Sequence, residues 1–352
     1  MTQNIVPDFY KNFVCAAGDC PDTCCKDWDI EVDGDTLDFY NNYPELSRHI
    51  MTDKDGDDVI KFEGGVCPFL TQRGLCAVQE RFGEDKICLT CREFPRIVQD
   101  YTVFAEYLLT LACPQTAFDM VISHDTFSFI TDSRVPPDTD EYDADLMNCL
   151  LHTRYLIAEI FRSGGNYYNN LSRVLSFCES VQEMIDRDCF DIAAVDNIEI
   201  IDFSNENTSQ KDIFLAHEGL DVMDKSWLEN VLLCSEEKLP IGLDEEFASF
   251  SLYYIARYYL LAISTYDIIT TIKRLFCAVV VCGCMISHEK ARNDAWRRAV
   301  IYQKYSKEIE HSDENTQVLT DVFLTEPFES KRLAAMLPDQ TRANISSVVR
   351  VG

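Results

Sequence analysis

Basic residues are scarce in this 352-residue chain: 31 Lys and Arg stand against 60 Asp and Glu, a formal charge of −29. So acidic a surface repels phosphate backbones, which argues against general DNA or RNA binding. It aids solubility, and it hastens encounter with a cationic partner. The opening MTQNIVPDFYKNFVC lacks a basic segment followed by an apolar run, so no secretory leader is expected. Long uncharged apolar runs are missing too. The most apolar stretch, Ile263 to Ile286, contains Asp267, Lys273 and Arg274 and reads as a buried helix rather than a membrane span. A cytoplasmic location without a membrane partner is the expectation. The chain has no internal repeat and no G-x-G-x-x-G, P-loop, nucleophile elbow or H-E-x-x-H, so no motif places a nucleotide or a catalytic group.

Cysteine, by contrast, is plentiful and unevenly placed. Nine of the sixteen fall in the first 113 residues: Cys15, Cys20, Cys24, Cys25, Cys67, Cys76, Cys88, Cys91 and Cys113. In a reducing compartment such a cluster points to metal or redox chemistry rather than to disulfides. The same region holds Gly18, Pro21, Gly34, Gly64, Gly65, Pro68, Gly74, Gly83 and Pro95, so short elements and loops tied by metal are expected there.

Beyond Tyr101 the texture becomes helical. VFAEYLLTLACPQTAFDMVI has helical periodicity with a break at Pro114, and Leu146–Arg162 and Tyr168–Cys189 carry apolar residues at three- and four-residue steps. Further helices are predicted at Glu246–Ile263, Asp267–Ser287 and His288–Ile309, with one or two short ones over Asp321–Ala335. Ile198–Asp202 reads as a short strand or extended segment. The expected fold is mainly α: a loop-rich cysteine-cluster module over 1–115 packed on a helical body over 116–352. Polar stretches place possible splits of that body near 131–144 and 190–215.

Three roles compete for the early cysteines. Small buried packing residues are one, and Cys113, at the end of an apolar segment, suits it best. Structural zinc is a second, with Cys88-x-x-Cys91 as one knuckle and Cys20 with Cys24 as its partner. His49 is the only nearby histidine. An iron-sulfur cluster, probably 4Fe-4S in stoichiometry terms given the thiol count, is the third. Spacing alone does not separate zinc from iron-sulfur. The candidate metal ligands are Cys15, Cys20, Cys24, Cys25, Cys67, Cys76, Cys88 and Cys91. Trp28, one helical turn past Cys24, is placed to shield such a centre, and Arg92 and Arg96 to offset its charge, cap a helix or pair with a carboxylate. His124, His152, His217, His288 and His311 lie far from these cysteines in sequence and read as satisfied or exposed. Cys277, Cys282 and Cys284 read as core residues.

The blocks FVCAAGDCPDTCCKDWDIEVD, CPFLTQRGLCAVQERFGE, KICLTCREFPR and LACPQTA together resemble the flagellin lysine-N-methylase family over about the first 115 residues. The resemblance implies an enzyme that moves a methyl group from S-adenosylmethionine to lysine amines of flagellin, with the cysteines holding an iron-sulfur cluster. Such chemistry needs a deprotonated lysine, whose free pKa is about 10.4, and a site for a sulfonium. The helical segment SLYYIARYYL offers Tyr254 and Tyr258 on one face for cation-π contact, with Arg257 for a carboxylate, and these three are the candidate cofactor residues. Core packing is the competing role for the tyrosines. A non-catalytic zinc- or iron-binding module that docks a basic partner is the alternative function.

Overall fold

A computed structural model describes residues 3–27, 30–123, 130, 141–200 and 209–338. Trp28, His124 and most of the polar stretches 131–144 and 204–212 lie outside them. The first part of the chain is built from short pieces: β1 (Gln3–Ile5), α1 (Asp8–Lys11), α2 (Gly34–Tyr40), α3 (Pro44–Ser47), β2 (Ile50–Thr52), β3 (Asp58–Ile60), α4 (Ala77–Phe82), α5 (Leu89–Glu93), β4 (Arg96–Asp100) and β5 (Phe104–Leu109). Strands β2 and β3 pair antiparallel, and a three-stranded sheet runs in the order β1-β5-β4, with β1 parallel and β4 antiparallel to β5.

From Pro114 the described chain is helical: α6 (Pro114–Ile122), α7 (Ala144–Arg162), α8 (Tyr167–Asp186), α9 (Ile192–Val195), α10 (Lys211–Leu215), α11 (Lys225–Leu233), α12 (Asp244–Tyr258), α13 (Ala262–Thr265), α14 (Ile269–His288), α15 (Ala295–Tyr305), a π-helical turn (Ser306–Glu310), α16 (Asp313–Phe323) and α17 (Ser330–Ala335). The fold is mainly α, with a loop-rich N-terminal part, as the sequence predicts. Asp, Asn and Ser side chains start most of the long helices: Asp143 caps α7, Asn166 α8, Asp224 α11, Asp294 α15 and Ser312 α16.

Two predictions need correction. Phe104–Leu109 is a strand, not part of a helix. As the centre of its sheet it is buried on both faces at all but one position, and a continuous apolar run of that kind carries no period to separate strand from helix. His288 closes α14 rather than opening the next helix, which starts at Ala295. Ile198 to Ile200 adopts no regular element, and residues 201–202 are not described.

The central helix is α14. It is long and apolar enough to cross a membrane, yet most of it is buried inside the protein. Cys277, Cys282 and Cys284 have no exposed surface and pack in this core. Gly283 lets neighbouring side chains close in: a Cβ there would sit 2.8 Å from Leu239 Cδ2 and 3.3 Å from Pro240 Cδ. The sheet joins the same core through Phe104, Leu108 and Tyr101. A second core of Ile30, Val32, Tyr40, Ile60, Phe69, Val78 and Ile87 sits under the cysteine loops.

Candidate metal centre and adjoining pocket

Short-range ties set the cysteine loops in place. Asp33 caps α2 by accepting from Thr36 N at 3.1 Å, and its other oxygen accepts from Leu89 N at 2.7 Å. One carboxylate therefore fixes the start of α5, which carries Cys88 at its N-cap and Cys91 in its first turn. Cys67 N donates to Cys25 O at 2.9 Å, joining two more thiol-bearing loops. Gly18 and Gly74 let the Cys15–Cys20 loop lie against the loop before Cys76. A Cβ on Gly18 would meet Arg73 O at 2.7 Å, and Gly74 adopts φ +72°.

The result is that all nine early cysteines line one cavity of about 300 Å³. Tyr40, Ile60, Phe69 and Ile87 supply part of its apolar wall. Cys113, the best packing candidate by sequence, shares this lining with the eight proposed ligands. Two pairs are in hydrogen-bond contact, Cys24 with Cys25 and Cys88 with Cys91. In each pair the bond lowers the acceptor's pKa, Cys25 and Cys88, and raises that of the donor, Cys24 and Cys91. Burial pushes Cys67 up to about 12 and raises Cys20, Cys76 and Cys113. Tyr40 Oη stands 3.8 Å from Cys88 Sγ.

Among the described residues no group of three or more His, Cys, Asp and Glu is arranged to hold a metal ion. The donor set itself is almost purely thiol. His49 does not line the cavity; its ring stacks edge-on with Phe69 at 5.6 Å, and its Nε2 accepts from Arg48 at 3.1 Å. Thiols spread around a cavity, with imidazole absent, fit a multi-iron sulfide group in kind better than one tetrahedral ion.

A second pocket, of about 440 Å³, adjoins the first and shares Cys24, Ile30, Cys91, Phe94, Pro95 and Arg96 with it. Thr90, Glu93, Ile97, Thr110 and His311 complete its lining. His311 was unexpected here. Its Nε2 lies 2.6 Å from Thr110 Oγ1. Although the residue keeps solvent-accessible surface, desolvation and the Arg257 charge lower its pKa to about 4. No local motif marks His311, because about two hundred residues of intervening chain separate it from the cysteines. The other described histidines are satisfied as expected: His152 with Asp196 at 2.7 Å, His217 with Ile213 O at 2.7 Å and His288 with Glu237 at 3.0 Å.

Tyr254, Arg257 and Tyr258 line neither of these pockets. The tyrosines do share a face, with ring centroids 4.6 Å apart. The cations over the Tyr258 ring are the chain's own, Arg257 at 5.1 Å and Arg274 at 5.3 Å. The Tyr258 hydroxyl donates to Glu310 Oε2 at 2.7 Å, as does that of Tyr253.

Comparison with known proteins gives a consistent picture. Lysine-N-methylases of Salmonella choleraesuis (strain SC-B67) and Salmonella typhimurium are each 32% identical over 120 residues, 31% of this chain and 30% of theirs. The flagellar biosynthetic protein FliU of Salmonella muenchen is 32% identical over 120 residues, which is 71% of its length. The match thus spans under a third of the two lysine-N-methylases. No family model matches the chain, and no solved structure matches it. The identity and coverage shared with FliU, together with the lysine-N-methylase matches, show that this chain belongs to the lysine-N-methylase/FliU family.

Proposed function

We propose that the protein is an S-adenosylmethionine-dependent methyltransferase acting on lysine side chains of flagellin, with an iron-sulfur cluster held by thiols of the cysteine cavity. The observation that carries this reading is the gathering of nine cysteines on one cavity whose wall is shared with a ligand-sized pocket. The names of the relatives, lysine-N-methylase and flagellar biosynthetic protein, supply the reaction and the target.

The ligands would come from Cys15, Cys20, Cys24, Cys25, Cys67, Cys76, Cys88 and Cys91, and Cys113 joins them as a candidate. S-adenosylmethionine supplies the methyl group. The lysine amine must first give up a proton, and Glu93 and His311 are the acceptors that face the adjoining pocket. The amine lone pair then forms an N–C bond to the methyl carbon as the S–C bond breaks, and S-adenosylhomocysteine leaves. The apolar walls Phe94, Pro95 and Ile97 keep water from competing, and positioning alone removes a large share of such a barrier.

Anaerobic purification followed by iron, sulfide and zinc analysis tests the cluster, with thiolate-to-iron absorbance expected near roughly 400 nm. A methylation assay on flagellin tests the reaction. Cys24→Ala and Cys91→Ala should each lose iron and stability, since metal binding and folding are linked. Zinc without iron, together with no methyl transfer, would favour the non-catalytic docking module instead.

A further inference from the structure

We infer that S-adenosylmethionine occupies the pocket beside the cysteine cavity, and that Arg96 anchors its carboxylate. This deepens the function proposed above and rests on it. A volume of about 440 Å³ falls in the usual small-ligand range of roughly 300–1,000 Å³. The ligand has a carboxylate at one end, a flat apolar base at the other and ribose hydroxyls between. The pocket offers a counterpart to each.

Arg96 is the decisive residue. It lines both cavities. Its guanidinium lies over two rings, 5.7 Å from the centroid of Tyr10 and 5.5 Å from that of Phe13. Among the described residues no carboxylate forms an ion pair with it. The nearest acidic candidate on the same wall, Glu93, pairs with Arg92 at 3.8 Å instead. A planar fork held by aromatic rings and lacking a counter-ion is suited to bidentate capture of a carboxylate. Phe94 and Ile97 offer apolar surface to the base, and Thr110 and Glu93 offer polar atoms to the hydroxyls. Because Cys24 and Cys91 form part of the lining, a ligand filling the pocket lies against the thiol wall.

A larger cavity, of about 660 Å³, lies between α8 and α12 and is the rival site. Its arginines are already engaged. Arg298 holds both oxygens of Glu246 at 3.0 and 2.8 Å, and Arg162 pairs with Glu159 at 3.2 Å. It has carboxylates to spare, at Asp244 and Glu245, and no cation left for the ligand's acid end.

The test is calorimetric titration of the anaerobically purified full chain with S-adenosylhomocysteine, an unreactive probe. Arg96→Met keeps the apolar stem between Tyr10 and Phe13 and removes the charge. It should weaken binding about 10- to 100-fold, the range expected for a charged hydrogen-bonded anchor, while Arg96→Lys recovers part of the loss. Iron content and absorbance unchanged in Arg96→Met separate a lost anchor from a lost cluster. Should Arg96→Met lose its iron, Thr90→Trp, at an exposed position on the rim, blocks the same pocket and should also abolish binding. Wild-type affinity in both variants, with Ser249→Trp in the rival cavity abolishing binding, overturns the assignment and leaves the function standing. Failure of the wild type to bind the probe or to methylate flagellin overturns the function itself.

Discussion

Glu106 and Arg154 have no exposed side-chain surface, and they meet through two hydrogen bonds of 2.8 Å. They join β5 to α7. Such a pair contributes little net stability over an apolar substitute, but breaking it strands a buried charge. Glu106→Gln should therefore cost about 3–5 kcal/mol in denaturant unfolding, and the double change with Arg154→Met should recover part of it. A loss well under 1 kcal/mol in the single variant would contradict the buried geometry. His217 makes a separate prediction. It is fully buried, and desolvation lowers its pKa from 6.5 to about 4, with only a hydrogen bond to Ile213 O in compensation. Above pH 6.5 the imidazole is neutral in both the folded and unfolded chain. Between pH 6.5 and 4 the unfolded chain takes up a proton that the folded chain refuses, so stability falls as pH falls. The full effect is about 3 kcal/mol by linkage. Urea titrations from pH 7 to 4 should show a shallower loss for His217→Gln than for wild type; parallel curves would refute the assignment.

At the scale of elements, α15 and its π-helical extension tie the helical core to the cysteine loops. Gln303 Nε2 donates to Asp22 Oδ2 at 2.9 Å and to Ala112 O at 3.2 Å, and Lys307 Nζ reaches Asp22 Oδ2 at 3.6 Å and Lys26 O at 3.4 Å. Asp22 sits between Cys20 and Cys24, and Ala112 precedes Cys113. The π-turn, a form often found at functional sites, also presents Glu310 to the tyrosines of α12 and leads into His311. Gln303→Leu removes both bonds from a side chain that is 1% exposed. Hydrogen exchange in the 20–27 loop should quicken by an amount worth about 1–2 kcal/mol, while α14 keeps its protection. Equal loosening of both would mean a global rather than a local role. This coupling was illegible in the sequence. The cysteine cavity was legible because thiols are costly to cluster without a reason, and their types announce the chemistry. The long helices were legible because an amphipathic period repeats over many residues. Strand β5 was not, since burial on both faces erases the period, and neither was His311, whose place depends on how distant elements pack. Tyr254 and Tyr258 show the same limit from the other side: their shared face was readable, but not that Arg257 and Arg274 already cover it.

The charge of −29 belongs to the whole molecule, and its consequence is tested on encounter rather than on chemistry. If the substrate is a lysine-bearing protein, as proposed, the acidic surface draws it in over distances set by ionic screening. That reach is about 10 Å at 0.1 M salt and about 3 Å at 1 M. Attraction of this kind raises association rates and leaves bound-state chemistry alone. Methylation measured between 50 mM and 500 mM salt should therefore show KM for flagellin rising several-fold while kcat stays nearly constant. Affinity for S-adenosylhomocysteine should change far less, because its anchor is a single short-range pair at Arg96 on a pocket wall rather than the field of the molecule. A flat KM across that range would show that the acidic surface serves only to keep molecules apart. A fall in kcat with constant KM would instead place the salt-sensitive interaction inside the site, with the Arg96 anchor as the first place to look.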